Sequence, residues 1–292
     1  TQAPGHITEV LVNEMNVSTL AGSGTNSSMN GPVATASFSH PRGVAINSVG
    51  EIFIGQGHCV RKISEGQVTL FSGNTGQNGV HDGQGVHARF GGISGFAVDS
   101  EDNIFVADQN NHRIRKITPD GTVTTFAGNG QAACVDGQGV AALFYNPCGI
   151  AIDSDDNIYV ADQSNHRIRK ITPNGLVTTL AGSSQGYADG QGAAARFSTP
   201  IEVAVDRDGN VLVADSSNHK IRKITPTGTV TTLAGSTAGF ADGASGSAMF
   251  NNTQGVAVDA DDNVYVADHN NHKIRKIDAN GIVTTIAGST KG

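Results

Sequence analysis

The chain of 292 residues has no tryptophan, 3 cysteines, 3 methionines and 8 prolines, and only 15% of it is charged. Each shortage excludes something. Three cysteines are too few for a disulfide-built scaffold, and none are spaced as CxxC, which removes the common zinc and thioredoxin signatures. No run approaches the roughly 18 apolar residues of a membrane-spanning helix, so no membrane insertion is expected. Thr1 is not followed by a basic and apolar leader, which reads as a processed or excised soluble form. Positive charge is also short, with 19 Lys and Arg against 26 Asp and Glu and a net charge of −7. That balance opposes a general affinity for nucleic acid or anionic membranes. What the chain has in plenty is glycine, 38 residues, nearly twice the roughly 7% of an average protein. With 37% hydrophobic residues it can build a core, and the glycine bias points to many short strands joined by tight turns.

Repetition is the strongest signal. The unit GIAIDSDDNIYVADQSNHRIRKITPNGLVTTLAG starts at Gly149, with copies starting at Gly95 and Gly255, one at Glu202 in place of the glycine, and a weaker one at Gly43. The starts at 43, 95, 149, 202 and 255 leave no room for a second domain, so residues 1–292 read as one. Within the unit, Gly149 to Asp153 and Ile158 to Ala161 are short β-branched runs separated by Ser154, Asp155, Asp156 and Asn157, which supply turn chemistry. Arg167 to Thr172 and Leu176 to Leu180 follow, joined by a turn at Pro173, Asn174 and Gly175. Ile168 and Ile171, three apart, require a bulge or a partly buried Lys170 stem. A connector then carries a lone aromatic, Phe38, Phe90, Phe144, Phe197 or Phe250, read as a plug between adjacent units. Four-stranded meanders repeated in this way imply an all-β propeller.

The string YVADQSNHRIRKITPNGLVTTLAG, with DGQG and A-x-F before the next GIAID, resembles the NHL repeat from Ile7 onward. The resemblance implies a six-bladed ring. The outer-strand motif occurs six times and the inner-strand motif five, so the expectation is six blades, one of them incomplete, with about 22 strands. Residues 1–42 would supply the outer strands of the incomplete blade and a connector, and residues 43–292 five full repeats. The missing inner strands would come from a neighbouring chain, giving a homo-oligomer, or from sequence before Thr1. For function the resemblance spans RNA-binding regulators, extracellular recognition modules, sensor domains and some lyases and hydrolases.

The chemistry-bearing residues also repeat. Asp108, Asn111 and His112, with Asp162, Asn165 and His166, Asp215, Asn218 and His219, and Asp268, Asn271 and His272, lie between the second and third strands. In a meander that loop opens on the face of the connectors, which carry Asp82, Asp136, Asp189 and Asp242. One reading is a multivalent ligand-binding face for a glycan, a peptide or a cation. The other is that each Asp holds its own loop, which recurrence in every blade favours. No HExxH or full calcium-loop pattern is present. The third strands hold most of the cations and read as solvated or ion-paired edges rather than an RNA track.

Departures from symmetry mark the alternative site. Glu202 projects a carboxylate near the axis, His58 sits in a shortened loop of the first full repeat, and His269 is an added imidazole in the last. An axial Glu among histidines is the minimum for acid/base work or for one divalent cation in the channel. The leading expectation needs no cofactor: a non-enzymatic, secreted recognition or scaffold protein that binds a protein or glycan through the loop-bearing face. The alternative is a lactonase-like or esterase-like hydrolase, or a lyase, with catalytic Glu202, His58 and His269. RNA binding ranks below both. Cys134 and Cys148 could form a disulfide, and sequons at Asn16, Asn26 and Asn251 could carry glycans.

Overall fold

The computed structural model describes residues 17–288, which form five sheets of five antiparallel strands, 25 strands in all. Each sheet is one blade of a propeller. Blade 3 shows the pattern: an inner strand Pro147–Ile152, then Ile158–Asp162, Arg167–Ile171 and an outer strand Leu176–Gly182. The register of the last two passes from Ile168 opposite Ala181 to Arg169 opposite Thr179, so Leu180 is the extra residue of the expected bulge.

The expectation of six blades with one incomplete, and about 22 strands, is corrected to five blades and 25 strands. The additional strands come from the connectors. Gly137–Gln138, part of the DGQG motif that reads as a turn, pairs with Val177 and Leu176 at the outer edge of blade 3, and Gly31–Pro32 does the same in blade 1. Two residues carry no period, so these strands were invisible as a pattern. Most of the segment from Ile7 assigned to a sixth blade lies outside the described residues, and Val17 to Gly22 form no strand.

The inner strands Pro41–Ile46, Ile93–Val98, Pro147–Ile152, Pro200–Val205 and Thr253–Val258 pack in succession around a central channel. Glycine allows the approach. A Cβ at Gly43 would lie 2.4 Å from the Phe96 ring, and one at Gly95 2.3 Å from the Cys148 carbonyl oxygen. At Gly255 it would meet only Ala267 of its own blade, because the seam between blade 5 and blade 1 is not sealed in this way. Four hydrophobic clusters bridge blades 1–2, 2–3, 3–4 and 4–5, and none bridges 5 and 1 among the described residues. The seam leaves Val44 62%, Ile46 61% and Ile274 40% exposed. The expected homo-oligomer completed across a half-blade loses that half-blade.

Phe90, Phe144, Phe197 and Phe250 are fully buried in the bridging clusters, as plugs should be. Phe38 is half-buried beside blade 1. Phe144→Ala is therefore expected to cost about 3–5 kcal/mol, the range for removing a buried ring, and Phe38→Ala clearly less. Urea unfolding of the two variants checks this, and equal losses would contradict the plug role.

Candidate ligand-binding mouth of the central channel

The repeated acids turn inward. The Arg169 guanidinium, fully buried, donates to Asp162 at 2.8 Å and to Asp136 at 2.7 Å. Arg115 joins Asp108 and Asp82, Arg222 joins Asp215 and Asp189, and Arg275 joins Asp268 and Asp242, all within 2.5–2.9 Å. Thus Asp162 meets the connector acid that precedes it, Asp136, rather than the following Asp189. Asp162 also accepts from the Tyr145 amide and from Asn165, both at 2.8 Å, so every partner is a donor and the carboxylate form fits. Burial pushes Asp162 up from its ordinary value, and Arg169 with these donors acts against it. Asp136, 49% exposed, feels burial too, but the amide and hydroxyl of Thr179 and the Arg169 charge hold it below its ordinary value. Of the two readings of the third-strand cations, solvated or ion-paired, the ion-paired one holds for Arg115, Arg169, Arg222 and Arg275, and the solvated one is corrected, since these four have no exposed surface. The signal was the constant spacing, in the repeats starting at 95, 149, 202 and 255, between the Asp of VAD and the arginine seven residues on.

Blade 1 departs from this pattern. Gln56 stands where the other blades have the buried Asp, and Arg61 is fully buried with only neutral acceptors, Gln56, Met29 and Ser37. The histidines are equally structural in geometry. His112, His166, His219 and His272 adopt the left-handed conformation, with φ of 54–56°, closing single 3-10 turns. The first three accept the amide of Asn146, Thr199 or Asn252 in the next connector at 3.0–3.2 Å through Nδ1. Burial lowers His112 and His166 from their ordinary value, which suits a neutral accepting ring.

Cys134 and Cys148 are both free rather than bonded, and burial raises each thiol, Cys148 to about 11. Asn26 is exposed, the Asn251 side chain accepts from Asn270 at 3.3 Å, and Asn16 lies outside the described residues.

With the repeated groups spent internally, the differences between blades collect at the axis. The residue before each inner glycine is Arg42, Ser94, Cys148, Ile201 or Gln254, five chemistries at one position of the repeat, and the next tier is glycine except for Glu202. These residues, with Gln109 and Gln163, line a cavity of about 540 Å³ at the channel mouth. Gln109 donates to Gln163 at 3.0 Å. Of the mouth's polar groups the sequence singles out Glu202 as a candidate acid and Cys148 only as a disulfide partner; the signal for Arg42, Ser94 and Gln254 was variability at one repeat position. His58 lines a different, smaller cavity beside Gly57, and His269 is exposed and bonded to Asn270 at 2.9 Å. Neither lines the cavity of Glu202, so the expected axial Glu–His group does not assemble. Among the described residues no three His, Cys, Asp or Glu side chains form a metal-binding group, and the mouth offers a cation one carboxylate and one thiol beside the repelling Arg42.

Burial pushes the Glu202 carboxyl up to about 8, opposed only by the Val203 amide at 3.2 Å. The unfolded chain ionises this group near about 4.3. Between those values the unfolded state loses the proton that the folded state keeps, so native stability falls as pH rises through the window. The melting-temperature gain of Glu202→Gln over the parent should be flat below about pH 4, grow toward pH 8 and then level. A pH-independent difference would show an ordinary carboxyl. Asp162→Ala, which strands Arg169 beside the half-exposed Asp136, should cost about 3–5 kcal/mol in urea unfolding, and Asp136→Ala considerably less. Equal costs would show that depth does not matter.

Comparison with known proteins agrees with this architecture. The NHL repeat family model matches residues 90–117, 144–171, 197–224 and 250–277. NHL repeat-containing protein 2 of Bos taurus is 30% identical over 85% of this chain and 40% of its own length. Protein SUPPRESSOR OF QUENCHING 1, chloroplastic, of Arabidopsis thaliana is 29% identical over 89% of this chain and 27% of its own. The chain therefore spans well under half of these curated relatives. Among solved structures, a streptogramin B lyase has a TM-score of 0.60 at 16% identity, covering 87% of this chain and 70% of its own. An auxiliary nutrient binding protein from Bacteroides thetaiotaomicron has 0.59 at 16%, covering 92% and 76%. At that identity the structures share the fold alone. The repeats, their spacing and the blades they build make this chain a member of the NHL-repeat β-propeller family.

Proposed function

We propose that this propeller is a non-enzymatic recognition module that engages a protein or peptide partner at the channel mouth on its loop-bearing face. One observation carries the reading: the groups repeated in blades 2 to 5 are consumed by internal bonds, whereas the groups that differ from blade to blade converge on one polar cavity. A scaffold repeats its folding devices, and a specific site breaks the repeat. No aromatic ring lines the mouth, so a sugar would find no stacking platform there, which favours peptide over glycan. The four buried arginines are unavailable to a phosphate backbone, which counts against RNA. The matched relatives are much longer than this chain, as a module within larger proteins would be.

A lyase or hydrolase is the second reading, favoured by a carboxyl that titrates near 8 at the axis and by the fold shared with a streptogramin B lyase. It lacks a partner base within the same cavity. Labelled protein applied to peptide and glycan arrays tests recognition. Peptide signals lost in the Gln163→Ala/Gln254→Ala double variant and kept in Lys62→Ala, which lies away from the mouth, are the expected result. Signals indifferent to the mouth variant would overturn the assignment of this face.

A further inference from the structure

The channel mouth holds a buried carboxyl and an exposed guanidinium that are not paired with each other. Arg42, on the inner strand of blade 1, and Glu202, on that of blade 4, line the same cavity of about 540 Å³, and no ion pair joins them. The contrast with the rest of the blades is sharp, because Arg115, Arg169, Arg222 and Arg275 each hold two carboxylates. Among the described residues Arg42 makes no side-chain hydrogen bond, and Glu202 accepts only the amide of Val203, through one oxygen. The place for Glu202 is built: Gly149 in the neighbouring blade leaves the room, since a Cβ there would come within 2.3 Å of the Glu202 Oε1. The remaining polar lining, Ser94, Gln109, Gln163 and Gln254, is uncharged and bonds to donors and acceptors alike.

Directly adjoining is a second cavity of about 420 Å³, which shares Arg42, Glu202 and Gly255 with the first. Its other walls are mostly apolar, among them Val44, Phe96, Ile150, Val203 and Val256, with the Tyr265 hydroxyl bonded to Asp259. The axis therefore presents a polar chamber, with one carboxyl and one guanidinium, opening into an apolar one.

From this juxtaposition we propose that the channel binds a free apolar amino acid or dipeptide, with its ammonium on Glu202, its carboxylate toward Arg42 and an apolar side chain in the apolar chamber. The proposal rests on the mouth being the recognition surface and names what that surface takes. An ammonium would give the buried Glu202 carboxylate the counter-charge that the protein does not supply, a carboxylate would find one in the exposed and unpaired Arg42, and a zwitterion brings both. The titration of Glu202 supplies a signature. With its carboxyl raised to about 8, most of the empty protein carries the proton at pH 7, and an incoming ammonium favours the carboxylate, so binding expels a proton to buffer. The charged or titratable groups facing Glu202 across the channel are Cys148, a neutral thiol at that pH, and Arg42.

Isothermal titration calorimetry with the twenty free amino acids, leucylleucine, N-acetyl-leucine, leucinamide and calcium or zinc ions decides the matter. Leucine or another apolar member is expected to bind at least tenfold more tightly than glycine. N-acetyl-leucine and leucinamide should each bind at least tenfold more weakly than leucine. Glu202→Gln should weaken leucine tenfold or more while leaving N-acetyl-leucine unchanged, and Arg42→Gln should leave leucinamide unchanged. Buffers of different ionisation enthalpy should report close to one proton released at pH 7 by the parent and none by Glu202→Gln. Circular dichroism melting of both variants checks that they fold. Failure of every amino acid and the dipeptide to bind at 10 mM, equal binding of the blocked forms, or Glu202-dependent binding of the metal ions alone would each overturn the proposal. Array signals that still depend on Gln163 and Gln254 in that event would leave the mouth as the recognition surface and remove only the zwitterion.

Discussion

A guanidinium buried without any exposed surface, gripped by one carboxylate in the core and another at the rim, holds blades 2 to 5 together. Arg169 shows why so much depends on it. Its side chain spans from the loop after the second strand, through Asp162, to the connector ahead of the blade, through Asp136, and it also donates to the carbonyl oxygens of Leu143 and Val135. Its guanidinium carbon lies 5.1 Å from the centre of the Phe144 ring, the plug between blades 2 and 3. One residue thus ties loop, connector and interblade core into a single unit. Taking it out of water is expensive, and the arrangement is tolerable only because nearly all of its donors are met. Blade 1 meets that cost differently, with Gln56 and backbone carbonyls and no counter-charge, and burial accordingly lowers the Arg61 pKa.

This economy shapes where recognition can occur. A repeat that fixes its loops with Asp, Asn and His has already used those side chains, whatever their reputation as ligands. The left-handed histidines illustrate the point: each of the first three in blades 2 to 4 turns a nitrogen to the next connector's amide rather than to the surface. At the axis the repeat is loose in every blade. There the inner strands approach closely through glycine, and the preceding position carries a different side chain in each of the five blades. A shared position with unshared chemistry gives the channel its asymmetric polarity.

Much of this was legible in the sequence. The 53-residue rhythm, the strand order within a unit, the bulge implied by Ile168 and Ile171 and the plug phenylalanines all follow from periodicity and burial, and the structure contains each of them except a plug at Phe38. The depth of the arginines was not legible, because a third strand with alternating cations looks like a solvated edge until the Phe plug and two acids close over it. Nor were the two-residue outer strands, which read as turn chemistry in DGQG. Glu202 stood out as a broken glycine, whereas Arg42, Gln254 and the glutamines went unnoticed because neighbours at the axis come from different blades.

The sequence by itself determined the blade, since hydrophobic alternation, turn residues and the internal Asp–Arg–Asp spacing are local or separated by less than one repeat. Tertiary structure decided how many blades there are, which carboxylates pair with which arginines, and what meets at the channel. Those outcomes depend on how consecutive sheets rotate about a common axis, and that rotation brings together Arg42 and Glu202, 160 positions apart, while keeping His58 and His269 out of their cavity. A repeat encodes its own contacts many times over, but the hub is assembled once, from one residue of each copy.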